Sequence, residues 1–291
     1  MKFTNDQQLP SALHQFLSWN DYNMGGERFD VSCTKLIDSP QIAQYWREFG
    51  REVSEDSATR LYSAMGSGIH SRFEAANASN AGVMLEKRFL GTFPHPLEGQ
   101  DPVVVSGQID VYEFATKTLA DLKTVSAWKL VNKDIKSWTQ QLNICALLMQ
   151  MNGFEVENLQ IYALVRDWTK MRAGEKGYPN SNIQVVDIPL WSKAEQEDFV
   201  AERLNLHMGD VERICTDSER WAKPASFAVK QSGRKRALRV LPSREKAESW
   251  MQSQGKGDSI ENRPATYVRC EGYCPFGKMG VCTQYNATQE G

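Results

Sequence analysis

Two aspartates and a lysine in the middle of the chain have types and spacing suited to chemistry. Asp110 ends an alternating apolar segment, 103–110, and Asp121 and Lys123 lie two residues apart on the next predicted strand. Side chains two apart on a strand emerge on one face. If the strands pair, both carboxylates can hold one hard cation such as Mg²⁺, and the lysine can stabilise charge on a phosphate. The spacing indicates metal-dependent phosphodiester hydrolysis; a hairpin with a solvated salt bridge is the alternative.

Two further segments could complete such a site. Gly66, His70 and Glu74 recur every four residues, so His70 and Glu74 share one face of a predicted helix. The segment 138–143 opens a later helix and carries Gln141, an amide that could bind a phosphate or the attacking water. A structural histidine and a polar helix start are the alternatives.

In chain order these motifs resemble the PD-(D/E)XK nuclease superfamily, and more narrowly its RecB-like exonuclease branch. They run Gly-x-x-x-His, Gly-x-x-Asp, Asp-x-Lys and Gln-Leu-Asn, over about residues 30–165. That branch includes the nuclease domains of RecB and AddAB, CRISPR-associated nucleases and phage exonucleases. The resemblance implies a restriction-endonuclease-like core, with a mixed sheet flanked by helices.

The resemblance also implies a role for each matching residue. His70, Asp110 and Asp121 would bind Mg²⁺ or Mn²⁺, with the backbone carbonyl of Leu122 as a further candidate ligand, and Glu74 would support them. Lys123 would be the catalytic lysine.

The match to the family's Gln-x-x-x-Tyr motif is partial. Gln141 stands at its glutamine, but Cys145 occupies the tyrosine position. The departure concerns a DNA contact rather than the metal chemistry.

Three cysteines near the end of the chain form a second candidate site. Cys270, Cys274 and Cys282 fall within thirteen residues, a spacing suited to metal ligation in a tight loop. The resemblance adds Cys33, because RecB-like proteins with a [4Fe-4S] cluster place one cysteine before the nuclease motifs and three after them. Zinc and ordinary thiols stay open as alternatives. The two other cysteines, Cys145 and Cys215, are expected to be small apolar core residues.

A cluster of cations between residues 230 and 246 is the best candidate for contact with nucleic acid. The formal net charge of the chain is only −2, so such contact requires a local patch. Its centre is Arg234, Lys235, Arg236 and Arg239. A solvated charged face is the alternative.

Periodicity predicts a mixed α/β chain with a small strand–strand–helix insert. Helical spacing covers 41–65, is interrupted at 66–68, and returns at 138–151 and 192–214. Strands are expected at 83–93, 103–114, 119–124, 160–165 and 183–188, with the second and third forming a hairpin. The insert would pair strands 227–229 and 237–241 and continue into a helix from Ser243 to about Gln252.

Composition supports four regions in a soluble protein. With 291 residues and 41% hydrophobic content, the chain can bury one sizeable core with a small appendage. The expected regions are an N-terminal extension (1–30), the nuclease core (31–220), the basic insert (221–260) and a cysteine-containing tail (261–291). No signal peptide or apolar run of membrane-spanning length is apparent, so a cytoplasmic location is expected. The cytoplasm would be that of a bacterial cell, or that of the host cell if a phage encodes the protein.

These observations together predict a metal-dependent deoxyribonuclease, specifically an exonuclease of phage or bacterial DNA processing and recombination. Its expected partners are DNA and recombination proteins or a helicase. A catalytically silent nucleic-acid-binding subunit and a structure-specific endonuclease, including one that cuts RNA or branched DNA, are the competing hypotheses.

Overall fold

A computed structural model describes residues 2–19 and 28–288 of the chain. The chain divides into two compact units, Met1–Arg213 and Ile214–Gly291. Part of the predicted N-terminal extension (20–27) and the last three residues of the predicted tail lie outside the described residues.

The first unit contains strands and helices in alternation. Its strands are β1 (Lys2–Thr4), β2 (Val31–Ser32), β3 (Ser54–Asp56), β4 (Val83–Leu85), β5 (Arg88–Phe93), β6 (Val103–Gln108), β7 (Val111–Glu113), β8 (Thr118–Val125), β9 (Asn158–Val165) and β10 (Ile183–Ile188). Its helices are α1 (Ser11–Ser18), α2 (Cys33–Leu36), α3 (Pro40–Phe49), α4 (Leu61–Asn77), α5 (Ala127–Val131), α6 (Lys136–Met151) and α7 (Lys193–Met208).

The main sheet of this unit is mixed, with strand order β10-β9-β8-β7-β4. Strands β8 and β9 are parallel, and the other neighbours are antiparallel. A second sheet has the order β2-β6-β5. Helices pack against these sheets, so the expected mixed α/β class is confirmed.

Helix α6 forms the centre of the core. Its residues from Leu142 to Met149 are all buried, and the helix contacts β5, β6, β8 and β9. The close approach of α6 to strands β5 and β6 depends on two glycines. A Cβ added at Gly91 would lie 2.5 Å from the side chain of Leu148, and one added at Gly107 would lie 2.9 Å from it. The glycine of the Gly-x-x-Asp motif therefore lets α6 pack against β6.

The predicted hairpin is confirmed. Strands β7 and β8 pair antiparallel, with Val111 opposite Ala120 and Glu113 opposite Thr118. The single strands expected at 83–93 and 103–114 are wrong in one respect, because each is two strands belonging to different sheets. The breaks fall at Glu86–Lys87 and Ile109–Asp110, and these two breaks face each other: the Glu86 N–H donates to the Asp110 carbonyl (3.1 Å).

The expected helix at 41–65 is also wrong. Ser39 caps α3 as predicted, but the helix ends at Phe49, and β3 and a 3₁₀ turn (Ser57–Arg60) follow. The interruption expected at Gly66 to Gly68 does not occur, since both glycines lie inside α4. The later helix begins with the predicted capping box at Ser192 but ends at Met208 rather than Ile214.

The second unit contains β11 (Ala222–Lys223), β12 (Ser226–Lys230), β13 (Arg239–Leu241), β14 (Ser259–Arg263), β15 (Thr266–Tyr267), α8 (Arg244–Gln254), α9 (Val268–Gly272), α10 (Pro275–Lys278) and α11 (Thr283–Ala287). Strands β12 and β13 pair and α8 follows, which confirms the predicted strand–strand–helix insert. A third strand, β14, pairs with the other edge of β12. Within the described part of the chain, no helix is long and apolar enough to cross a membrane.

Candidate metal centre

His70, Glu86 and Asp110 bring three ligand atoms within 4.8 Å of one another, which is the one such group of three among the described residues. His70 Nδ1 lies 3.3 Å from Glu86 Oε1 and 3.7 Å from Asp110 Oδ1. The other ring nitrogen, Nε2, lies 3.0 Å from the carbonyl oxygen of Leu122. His70 therefore faces Glu86 and Asp110 through one ring nitrogen and the Leu122 carbonyl through the other, and the predicted ligand Asp121 lies outside the group of three.

Backbone geometry positions Asp110 beside β8. The residue lies just before β7, and its Oδ2 accepts a 2.7 Å hydrogen bond from the Leu122 N–H. This contact directs one carboxylate oxygen to the backbone and the other towards His70. His70 lies on helix α4, which packs against the same strand, β8.

Glu86 is a member of the group that the sequence motifs did not reveal. It has φ +47°, a left-handed conformation that is costly for a residue with a Cβ. Gln108 Nε2 donates to Glu86 Oε2 (2.8 Å), and Arg88 donates to Gln108 Oε1 (2.8 Å). The one available signal was an acidic residue between the apolar segments Val83–Leu85 and Phe89–Leu90.

Asp121 and Lys123 form the second part of the site. Asp121 is only 4% exposed. Lys123 Nζ donates to Asp121 Oδ1 (3.0 Å) and lies 2.8 Å from Oδ2. Gln141 Nε2 also donates to Oδ1 (2.9 Å). Apart from that ion pair, no hydrogen-bond donor among the described residues reaches the buried Oδ2. A buried carboxylate oxygen with spare acceptor capacity fits a cation ligand.

Burial and mutual repulsion shape the protonation states of this site. Burial, reinforced by the neighbouring charge of Asp121, raises the pKa of Asp110 from 3.8 to about 7. The hydrogen bond with Glu86 raises the pKa of His70 against the effect of burial. Burial opposes ionisation of Glu86, but hydrogen bonds from His70 and Gln108 prevail and lower its pKa.

The lysine keeps its charge in this environment. Burial works against the ammonium group of Lys123, but the ion pair with Asp121 prevails and raises its pKa. The side chain is 30% exposed, so the ammonium group is partly open to solvent. A fixed cation beside the carboxylates can stabilise negative charge on a bound phosphate.

The donor set fits a hard divalent cation. It combines carboxylates, an imidazole nitrogen and a backbone carbonyl, which suit Mg²⁺ or Mn²⁺ better than a soft metal. Glu74, expected to support the ligands, is exposed on α4 and outside the group of three.

The cysteines fall into two sets. In the first unit Cys33 and Cys145 are buried with their sulfur atoms 3.8 Å apart. Their shared hydrogen bond lowers the pKa of Cys33 and raises that of Cys145. Cys145 is thus a core residue, as expected.

In the second unit Cys270 lies in α9, while Cys274 and Cys282 precede α10 and α11. Burial raises the pKa of Cys274, and the neighbouring Cys270 and Cys282 add to this effect. Within the described residues these three thiols do not converge within 4.8 Å. Cys215 is buried in the same unit, as expected, and its carbonyl accepts from Gln284 (2.8 Å).

Some cations of the basic insert form ion pairs with acidic residues, and others are exposed without such a partner among the described residues. Lys230 pairs with Glu261 (3.2 Å) and Arg244 with Glu248 (3.0 Å). Arg234, Lys235 and Arg236 lie exposed in the link between β12 and β13, and Arg239 is exposed at the start of β13. In the described part of the chain none of these four residues has a carboxylate within 4.0 Å.

Comparison with known proteins gives a likeness to solved structures alone. No protein-family model and no curated protein matches the chain. The crystal structure of SSO0001 matches with 14% identity and a TM-score of 0.48, covering 72% of this chain and 87% of the other.

Two similar solved structures are described as exonucleases. A phage-related exonuclease from Haemophilus somnus 129PT matches with 12% identity and a TM-score of 0.37, covering 62% of this chain and 93% of the other. An alkaline exonuclease from Laribacter hongkongensis matches with 12% identity and a TM-score of 0.34, covering 60% and 86%. At these scores the likeness is distant.

Proposed function

We propose that this protein is a metal-dependent nuclease that hydrolyses phosphodiester bonds of DNA. The observation that carries the proposal is the convergence of His70, Glu86 and Asp110, next to the buried Asp121–Lys123 pair. A solvated surface salt bridge, the alternative for Asp121 and Lys123, does not account for an aspartate that is 4% exposed beside two further acids.

Each residue of the centre has a distinct part. His70, Asp110, Asp121 and the Leu122 carbonyl would hold Mg²⁺ or Mn²⁺, and Glu86 would join them or orient His70. When bound, the cation supplies Lewis-acid activation of water and of the phosphate. Lys123 stabilises the charge that develops on the phosphate oxygens.

Two polar side chains keep these groups in place. Gln141 donates to Asp121 Oδ1 and so orients the carboxylate, which Lys123 contacts through both oxygens. Gln108 does the same for Glu86. Such supporting hydrogen bonds tune the orientation and basicity of metal ligands.

Exposed cations in the second unit support a nucleic-acid substrate, and the choice of DNA comes from the motif resemblance. Arg234, Lys235, Arg236 and Arg239 are exposed without acidic partners among the described residues, as expected for phosphate contacts that are independent of sequence. The finer assignments come from the motif resemblance: the RecB-like branch, exonuclease action on DNA ends, a phage or bacterial role, and recombination or helicase partners.

The resemblance also carries a proposal for the cysteines. Cys33, Cys270, Cys274 and Cys282 are proposed as ligands of a [4Fe-4S] cluster, with zinc as the second possibility. The cluster would have a structural role.

A cleavage assay tests the proposed function. Linear and covalently closed circular DNA are incubated with the protein in Mg²⁺ or Mn²⁺ and then in EDTA. We expect metal-dependent degradation of the linear DNA, and its loss in Asp121→Ala and Lys123→Ala. The exposed residues Asp101 and Lys176 provide matched controls, since Asp101→Ala and Lys176→Ala should keep full activity.

Each other outcome selects a different hypothesis. Cutting of the closed circle indicates an endonuclease. DNA binding without cleavage in either metal indicates a silent nucleic-acid-binding subunit. Full activity of a purified, folded Asp121→Ala variant would contradict the assignment of the site.

A further inference from the structure

A separate cavity of about 820 Å³ lies in the first unit and shares no lining residue with the metal centre. Its wall includes four cationic side chains, Lys35, Arg47, Arg51 and Arg60. The volume is within the range of small-molecule sites, about 300–1,000 Å³. The proposed nuclease chemistry makes no use of this cavity.

The four cations come from different elements that meet around the cavity. Arg47 lies in the last turn of α3 and Arg51 two residues beyond its end, while Lys35 belongs to α2. Arg60 ends the 3₁₀ turn, and its guanidinium carbon lies 4.6 Å from the centre of the Phe3 ring. This cation–π contact holds Arg60 in place without consuming its hydrogen-bond donors.

The positive charge is not neutralised by the surrounding described residues. No carboxylate lies within 4.0 Å of the four cations in that part of the chain. The cavity also contains Asp30 and Asp38, but both are engaged with backbone groups. Asp30 Oδ2 accepts from the Val104 N–H and Asp38 Oδ1 from the Ser39 N–H, each at 2.7 Å.

Positive charges around the cavity repel one another. Partial desolvation and the nearby charge of Arg213 lower the pKa of Arg47, which lies at the exposed side of the cavity. Burial and the charge of Arg203 lower the pKa of His207, which also lines the cavity, to about 4, so that the imidazole is neutral at pH 7. An anion would relieve this repulsion and accept from donors that lack a partner among the described residues.

Besides these charged and polar groups, the wall has apolar side chains. Phe3, Val31, Ala43 and Met208 lie around the same space. A ligand that fits both surfaces has a multiply charged anionic group joined to a flat or apolar body. Arginine is well suited to phosphate, which it can bind through two parallel hydrogen bonds.

We propose that this cavity is a binding site for the phosphate group of a nucleotide, with the arginines and Lys35 on the phosphate and the apolar wall on the remainder. The site goes beyond the nuclease function and does not depend on it. The phosphate could belong to a free nucleotide or to the terminal nucleotide of a DNA strand, and the two sources are separable by experiment.

Isothermal titration calorimetry of the full chain in EDTA tests the proposal without involving the metal centre. The probes are dAMP, inorganic phosphate and deoxyadenosine. We expect dAMP to bind, inorganic phosphate to bind more weakly, and deoxyadenosine to give no binding. Arg51→Glu should weaken dAMP binding about tenfold or more, because a charged hydrogen bond is replaced by repulsion. Lys176→Glu, which changes an exposed cation outside the cavity, should leave the affinity unchanged.

Arg47→Gln is the second variant should Arg51→Glu fail to fold, and circular dichroism checks both. Competition of dAMP with oligonucleotides that end in a phosphate or a hydroxyl then identifies the source. Displacement by the phosphorylated end alone supports a DNA terminus, and no displacement supports a free nucleotide. Absence of dAMP binding at millimolar concentration, or equal affinity in both arginine variants and the parent, would overturn the proposal.

Discussion

Replacing Asp110 with asparagine should stabilise the metal-free protein while removing a metal ligand. The asparagine keeps an oxygen that can accept the hydrogen bond from the Leu122 N–H. It removes the negative charge that is buried beside Asp121, whose side chain is only 6% exposed. Without a cation this carboxylate pair is a source of repulsion, because two like charges in a shared buried site disfavour ionisation.

The expected gain in stability follows from the pKa of Asp110, which is about 7 in the folded protein against an ordinary value of 3.8. Since the folded pKa is raised, the contribution of this group to stability is fully present below pH 3.8 and is lost as the pH rises through 7. By linkage, the raised pKa lowers the free energy of unfolding, relative to acid pH, by about 2 kcal/mol at pH 5 and by about 4 kcal/mol at pH 8, because the unfolded chain ionises this group more readily than the folded protein does. Asp110→Asn should therefore gain about 2 to 3 kcal/mol more stability at pH 8 than at pH 5.

Guanidinium-induced unfolding in EDTA at both pH values measures this difference. Asp101→Asn is the matched control, because Asp101 is exposed in a loop, and its stability change should be the same at both pH values. The reasoning is refuted if Asp110→Asn is no more stable than the parent at pH 8, or if its gain is equal at pH 5 and pH 8. Addition of Mg²⁺ should stabilise the parent and not the variant.

Three further predictions concern other parts of the protein. Glu86→Gln should weaken Mn²⁺ binding about 10- to 100-fold by calorimetry, because it removes charge at the ligand group, whereas an equal loss in Glu74→Gln would contradict a specific role for Glu86. Replacing Arg234 and Arg236 by glutamine should reduce the slope of log affinity against log salt by about 2 in fluorescence anisotropy with duplex DNA, and an unchanged slope would exclude phosphate contact by the insert. Cys274→Ser should lose the iron or zinc measured by mass spectrometry in protein purified without oxygen, while an unchanged metal content would remove the ligation hypothesis.

Errors in the predicted elements have identifiable physical causes. Gly66 and Gly68 were expected to interrupt a helix, because each glycine costs about 1 kcal/mol relative to alanine in a helix interior. Both lie inside α4 nevertheless, where a Cβ would meet nothing within 4 Å. Local propensity is a weak constraint when the flanking turns of a helix are held by other elements.

The long strands expected at 83–93 and 103–114 failed for a different reason. Each segment was expected to be one continuous strand, but the pairing changes at Glu86 and at Asp110, where the chain passes to another sheet. The positive φ of Glu86 occurs at this change of sheet and could not be inferred from neighbouring residues. The breaks in regular structure are the places where the ligand group forms.

The sequence by itself determined the elements with clear periodicity and the residues able to do chemistry. The hairpin, α6, the basic insert and the proximity of Asp110, Asp121 and Lys123 all follow from short-range spacing, because side-chain direction on one element repeats with a fixed period. Tertiary structure alone placed Glu86 against His70, the carbonyl of Leu122 on the imidazole, and four cations around one cavity. Those contacts join segments far apart in the chain, and the raised pKa of Asp110 depends on how deeply that packing buries it. Burial and non-local pairing are properties of the folded chain, so residue order could indicate the chemistry but not the environment that controls it.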